Sequence, residues 1–205
     1  MTSISRLDAS ALDLLFRDAR THFAWTDRPV ADADLKAAVE LTELAPTSVN
    51  CSPLRIVFVK SPEAKAKLVE TVMPGNVDKT RTAPVTAILA WDPAFYEKLP
   101  QLFPHTDARA WFVGNEAFAE ATARLNSSLQ VGYFILALRA VGLDAGPMTG
   151  FDAAKVDAAF FPDGSARSSV LVNIGHGDAS KLFPRSPRLR SEEHTSELQS
   201  QFRIS

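Results

Sequence analysis

Residues 44–60 read LAPTSVNCSPLRIVFVK, and within them a helix stops, a polar loop opens and an apolar strand begins. Pro46 has no backbone donor and disfavours helical geometry in Ala45, so the apolar helix before it ends near Leu44. Thr47, Ser48 and Asn50 then offer two hydroxyls and a side-chain amide, and Pro53 stiffens the exit. Ile56, Val57, Phe58 and Val59 are consecutive apolar residues, the pattern of a central strand covered on both faces. Polar side chains held between a helix end and such a strand are placed to grip the hydrogen-bonding edge of a flat heterocycle. The same side chains can instead form an Asx or ST turn that satisfies only its own backbone, and the loop alone leaves both readings open.

A chain of 205 residues, 46% hydrophobic and 22% charged, is sized for one globular domain with an adequate core. The net charge is -2 and the 22 Lys and Arg are scattered, which argues against a polyanion-binding face and so against nucleic acid. A lone cysteine, Cys51, excludes an intrachain disulfide and any multi-cysteine metal site. It has no histidine placed by sequence as a catalytic partner, and reads as a small buried residue. His22, His105, His176 and His194 lack metal-ligand spacing, and neither a G-x-G-x-x-G fingerprint nor a P-loop occurs, so no metal and no Rossmann nicotinamide domain is expected. The N-terminus carries acidic residues before any long apolar run. The most apolar segment, Val131 to Leu138, is cut off by Arg139, so no membrane contact is expected and the cytoplasm is the expected compartment. Residues 190–200, RSEEHTSELQS, resemble the translation of a common sequencing adapter. The expected domain is therefore 1–189, with 190–205 a non-native or disordered tail.

Ser10 and Asp13 suggest the cap of a first helix with Leu12, Leu15, Phe16 and Ala19 on its apolar face, ending at Arg20-Thr21-His22. A second helix is expected from about Asp32 to Leu44, with Leu35, Ala38, Val39 and Leu41 in the core. Ser61-Pro62-Glu63 reads as a helix start after a strand over 54–60, and Met73-Pro74-Gly75-Asn76 breaks that helix. Pro84 to Trp91 is a second buried strand. Residues 92–111 predict a short helix near Phe95 to Leu99, then a loop with Leu102, Phe103, Pro104, His105 and Trp111 that either covers a site or packs on a partner. A long helix is expected from about Glu116 to Val141, capped by Gly142. Its apolar positions Phe118, Ala121, Leu125, Leu129, Gly132, Tyr133, Leu136 and Ala140 spread widely enough to imply burial on nearly all sides and reach into an oligomer interface. Residues 146–152 read as a glycine-containing turn with Asp152 capping a helix over 153–160, and Ser168 to Gly175 as the third strand. The arm beyond it is expected to wrap a neighbour.

Pro46-Thr47-Ser48-Val49-Asn50-Cys51-Ser52-Pro53 resembles the P-[ST]-S-x-N-x-Q-P loop of the flavin-dependent nitroreductase family, with Ser52 in place of Gln. Three further segments agree in order and type: Arg20-Thr21, Pro147 to Gly150, and Arg188. The resemblance implies an α+β fold, a mainly antiparallel sheet flanked by helices, in an intertwined homodimer. It implies FMN as cofactor, with NADH or NADPH as reductant. Arg20, Thr21, His22, Lys181 and Arg188 would hold the phosphate, His22 supplying part of the charge missing where Phe23 replaces a second basic residue. Thr47, Ser48 and Asn50 would bind the flavin through the loop, and Pro147, Met148, Thr149 and Gly150 would lie beside its ring. Ala19-Arg20-Thr21-His22, Tyr96-Glu97-Lys98-Leu99-Pro100, Leu102-Phe103-Pro104-His105, Asp107-Ala108-Arg109 and Gly146-Pro147-Met148 look like the malonic semialdehyde reductase branch of pyrimidine degradation. That likeness implies reduction of malonic semialdehyde to 3-hydroxypropionate, with His105, Arg109 and Trp111 in the substrate pocket and no protein side chain acting as nucleophile or base. A broad nitroreductase or quinone reductase, and a flavin-binding module without turnover, are the alternatives.

Overall fold

The computed structural model describes residues 6–190. The chain opens with α1 (Ala9–Leu12), capped by Asp8 rather than Ser10: the Asp8 carboxylate accepts from the Ala11 amide and the Ser10 hydroxyl. A π-turn over Asp13–Arg17 follows. Helix α2 (Asp32–Thr42) buries Leu35 and Ala38, whereas Leu41 is exposed. Then come β1 (Leu54–Val59), α3 (Pro62–Val69), α4 (Val77–Thr82), β2 (Val85–Trp91) and α5 (Leu99–Leu102). They are followed by α6 (Glu116–Ala140), β3 (Asp144–Met148), α7 (Ala153–Phe160) and β4 (Arg167–Gly175).

The four strands form one antiparallel sheet in the order β1-β2-β4-β3. Every residue of β2 is buried, and its side chains alternate between two cores. Val85, Ala87 and Leu89 face α2 and α6, with Val131, Phe134, Leu138, Val172 and Ile174. Ile88 and Ala90 face α3 and α7, with Leu68, Val156 and Leu171. A third cluster, Trp91, Phe95, Leu99, Ala108, Phe112, Ala119, Ala123 and Cys51, organises residues 92–112 under the first turns of α6. That segment is therefore packed on its own chain, although Trp111 stays half exposed.

Several expectations hold for local reasons. Ser61 caps α3 by accepting from the Ala64 amide, with Pro62 at the first helical position. Asp152 caps α7 through the Lys155 amide. At the end of α6, Gly142 takes φ +79°, and the Gly142 and Leu143 amides close onto the Arg139 and Leu138 carbonyls.

Three further expectations look different in the single chain. First, β1 is an edge strand, half-buried from Leu54 to Phe58, because the sheet places β2 on one side only. Second, residues 144–148 are a strand rather than part of a turn; β3 is the other edge, where Pro147 costs no ladder donor. Third, burial on nearly all sides would require the expected oligomer interface, because within one chain α6 is buried on one face. It buries Ala119, Ala123, Asn126, Ser127, Gln130, Val131, Phe134, Ala137 and Leu138, while Phe118, Leu125, Leu129 and Tyr133 are exposed on the opposite face. Their 4-residue spacing from Leu125 to Tyr133 makes a continuous apolar stripe. Among the described residues no helix is long and apolar enough to cross a membrane, and no group of three or more His, Cys, Asp or Glu side chains is arranged to hold a metal. The suspected tail from Ser191 onward lies outside the described residues.

A cationic cavity and a clamped polar loop

The C-terminal arm turns back on its own chain rather than extending away. Arg185 donates to the carbonyl oxygens of Arg17 (2.6 Å) and Ala19 (3.1 Å), Arg20 donates to the Phe183 carbonyl, and Phe183 stacks on Phe23 at 5.2 Å between ring centroids. Between the arm, the chain around Arg20 and the C-terminal end of α6 lies a cavity of about 480 Å³. It is lined by Arg20, Thr21, Phe23, Arg139, Arg185 and Arg188 together with Phe16, Phe183 and neighbouring backbone, and by no aspartate or glutamate. None of the four arginines forms an ion pair among the described residues. Arg139 donates to the Leu15 carbonyl at 2.9 Å. Its pKa is drawn down from the usual arginine value by burial, opposed by Asp144 and reinforced by the Arg185 cation. A guanidinium carries five donors, so each arginine keeps several for a ligand. Four cations with no acid among them are the donor set a phosphate requires.

Arg20, Thr21 and Arg188 thus share one cavity, whereas His22 and Lys181 do not line it. His22 is buried against β3, its Nε2 3.5 Å from Asp144 Oδ1 and its Nδ1 without a partner. Lys181 is exposed on a short turn of 3-10 helix. Arg139 and Arg185 line the cavity beside Phe23, and neither was singled out from sequence for a phosphate site. Arg139 lies at the end of α6 and Arg185 reaches the cavity only because the arm folds back across 166 residues. No local pattern carries that signal.

The polar loop sits elsewhere. Asn126 Oδ1, in the middle of α6, accepts from the Ser48 amide at 2.7 Å, and Gln130 Oε1 accepts from the Leu54 amide at 3.0 Å. Asn126 and Gln130 are both buried, one helical turn apart, and clamp the loop at both ends. Between the clamps Val49, Asn50 and Ser52 take φ of 48°, 53° and 39°, left-handed geometry that L-residues with a Cβ adopt at a cost. Thr47 Oγ1 is turned inward to accept from the Ser52 amide, so the self-satisfied turn holds for that residue. Asn50 Nδ2 donates to the Leu102 carbonyl at 3.0 Å, and Ser48 is exposed. Asn126 and Arg139 are 13 positions apart, about 20 Å along the helix at 1.5 Å per residue. Accordingly neither Ser48 nor Asn50 lines the cationic cavity of the same chain.

Gly146 does meet a close backbone, but that of His22: a Cβ there would lie 2.3 Å from the His22 carbonyl oxygen. Met148 is half-buried and accepts from Thr80 and Asn173 through its sulfur at 3.8 and 3.9 Å. Thr149 is exposed, and the Gly150 carbonyl accepts from Asn76. In the expected substrate region, Arg109 is held by Glu97 in a two-point pair at 2.7 and 2.8 Å, which lowers the Glu97 pKa and raises that of Arg109. His105 stands edge-on to Phe103 at 5.3 Å, and Trp111 is exposed. Cys51 is buried, and loss of solvation pushes its thiol up to about 11, the behaviour of an inert core residue.

A model of the nitroreductase family matches residues 17–176. A protein of Burkholderia lata is 61% identical over 185 residues, covering 90% of this chain and 95% of that protein. One from Polynucleobacter asymbioticus is 59% identical over 189 residues, covering 92% and 96%. Both bear the name "putative NADH dehydrogenase/NAD(P)H nitroreductase". Among solved structures, a nitroreductase from Exiguobacterium sibiricum, itself assigned as putative and crystallised with FMN, has a TM-score of 0.82 at 20% identity, covering 94% of this chain and 99% of that one. A nitroreductase family protein from Streptococcus pneumoniae has a TM-score of 0.78 at 24% identity, covering 89% and 98%. At these identities the structural likeness speaks for the fold.

Proposed function

This chain belongs to the nitroreductase family, and from that premise we propose that it is a homodimeric, FMN-dependent NAD(P)H oxidoreductase that reduces malonic semialdehyde to 3-hydroxypropionate. The observation that carries the cofactor assignment is the acid-free cavity with Arg20, Arg139, Arg185 and Arg188 on its walls. Charge-assisted hydrogen bonds contribute about 1.5–3 kcal/mol each, so a few of them hold a phosphate firmly. FMN, when bound, would supply the hydride-transfer chemistry that links NAD(P)H to the acceptor.

The chain's own residues bind and orient. In this reading the arginines and Thr21 hold the phosphate, and Ser48 and Asn50 pair with the ribityl chain or the pyrimidine edge. The about 20 Å between loop and cavity along α6 supports a dimer in which the loop of one subunit meets the cavity of the other. The exposed stripe Leu125, Leu129 and Tyr133 lies on the opposite face of α6 from the loop clamp and is the face such a dimer would bury. Arg109 spends Nε and Nη2 on Glu97 and keeps Nη1 for a substrate carboxylate. The overall conversion balances as semialdehyde, NAD(P)H and a proton giving 3-hydroxypropionate and NAD(P)+. Support for this acceptor is the sequence likeness at residues 96–100, 102–105 and 107–109. The names of the two relatives favour a second reading, a nitroreductase of broad acceptor range.

The test is the visible spectrum of the purified protein, identification of the flavin that heat releases, and initial rates of NADH and NADPH oxidation with each acceptor class. Stoichiometric FMN with a strong preference for the semialdehyde is the expected result. FMN with faster nitroaromatic or quinone reduction establishes the second reading, and flavin without turnover leaves a binding module. A protein that stays colourless with added FMN overturns the cofactor assignment.

A further inference from the structure

On the far side of the sheet from α6, a second cavity of about 580 Å³ opens between α3, the end of α4 and the start of β2. Lys60, Lys65 and Arg81 give it cationic groups, Ala66, Val69, Ala83 and Pro84 give it apolar wall, and Glu70 is its single acid. Lys65 differs from the other two cations. It is 8% exposed, on the core-facing side of α3 three residues from Leu68. Its Nζ donates to Thr86 Oγ1 at 2.8 Å, and Thr86 in turn donates to Asn173 Oδ1 at 2.7 Å, both residues being buried in the sheet. An ammonium has three donors, and among the described residues Lys65 spends one, on a neutral acceptor, and forms no ion pair.

Buried lysines of this kind are costly unless a counter-charge is provided. Lys60 and Arg81 already pair with Asp32 and Asp78. One cation therefore lacks a partner in a cavity whose walls are otherwise largely apolar. We propose that this cavity is a binding site for a small organic monocarboxylate, its carboxylate on Lys65 Nζ and its apolar body against Ala66, Val69 and Pro84. Inorganic phosphate suits the site less well, because its second charge would find Lys60 and Arg81 engaged and its oxygens would face apolar wall. Loss of solvation, which holds the Lys65 pKa near 8, is the penalty a bound carboxylate would offset. The site is separate from the cationic cavity and shares no residue with it.

The experiment is a titration of the full-length, flavin-loaded enzyme, with lysine carrying 13C at the ε position, against butyrate and separately against inorganic phosphate. The Lys65 signal is identified by its loss in Lys65→Met, a variant that keeps an unbranched apolar stem. Butyrate should move the Lys65 and Lys60 signals saturably and at lower concentration than phosphate. In Lys65→Met the Lys60 response should need about tenfold more butyrate, the loss of one charge-assisted contact. No saturable movement at Lys65, phosphate binding as tightly as butyrate, or an unchanged Lys60 response in the variant would each overturn the site. Should Lys65→Met fold poorly, the titration of the unaltered enzyme decides alone.

Discussion

Replacing Lys65 by Met should stabilise the protein at neutral pH, and the gain should fall away and reverse in alkali. Burial lowers the Lys65 pKa from 10.5 to about 8, a gap equivalent to about 3 kcal/mol at roughly 1.4 kcal/mol per pH unit. Below pH 8 both folded and unfolded chains carry the proton, and the folded state bears the whole penalty. Between 8 and 10.5 the folded lysine has released its proton and the unfolded one has not. The unfolded state then binds more protons, so stability rises with pH through that window. Met removes the penalty and also the bond to Thr86, worth about 1 kcal/mol, for a net gain of about 2 kcal/mol at pH 7. Cys51 acts in the opposite sense. Its folded pKa is raised from 9.0 to about 11, so its contribution is lost as pH rises from 9 to 11. Both proteins share that loss, and it cancels in their difference. The assay is urea unfolding at several pH values from 7 to 10.5, with protein and FMN concentrations fixed because ligand and subunit binding shift apparent stability. A difference between the two proteins that stays constant across this range, or a variant less stable at pH 7, refutes the reasoning.

Arg139→Met should weaken FMN binding roughly ten- to hundredfold while leaving the fold intact, as read by quenching of flavin fluorescence; unchanged affinity would remove Arg139 from the phosphate site. Ser52→Gly relieves a left-handed φ of 39° and should raise Tm by about 2–4 °C in calorimetry, since the strain amounts to about 1 kcal/mol. Leu129→Asp puts a charge into the exposed stripe of α6 and should yield a monomer that retains little FMN, measured by light scattering and absorbance; a dimer with full flavin would place the subunit contact elsewhere.

What could be read from sequence was what local chemistry decides. Ser61-Pro62 starts α3, Gly142 ends α6, and the apolar run into Trp91 is buried on both faces, because caps, prolines and runs of apolar residues act over a few positions. The loop at 46–53 was found for the same reason. The misplacements concern long-range partners. Ile56-Val57-Phe58 has the composition of a central strand, yet its neighbour on one side is absent from this sheet. The apolar face of α6 through Leu125 and Leu129 looks like core in one dimension and is solvent-facing in a single chain. Gly146-Pro147 looks like a turn, but the glycine admits the His22 carbonyl and the proline sits on an edge. Lys65 could be found only by noticing a charge at the position three before Leu68 on the buried side of a short helix.

The cations divide into two kinds, and the division bears on where ligands go. Arg55 donates to Asp92 at 2.6 Å, Arg109 to Glu97, Arg124 to Glu120, and Lys60 and Arg81 also have carboxylate partners. Arg20, Arg139, Arg185, Arg188 and Lys65 are among those that have none among the described residues, although acids outnumber bases in the chain at 24 to 22. Four of these five cations crowd one cavity, where mutual repulsion disfavours the fold, and the fifth is buried without a counter-charge. Neither arrangement helps folding. Each becomes favourable only with an anion: a phosphate shared by several arginines in the first case, a single carboxylate in the second. The buried amides of Asn126 and Gln130 fit the same logic, since they hold the strained loop on the rigid α6 whose last turn supplies Arg139. Cost and proposed function coincide on that helix: the residues that fix the loop and the cation in space are the ones that set how far apart the two halves of the proposed cofactor site can lie.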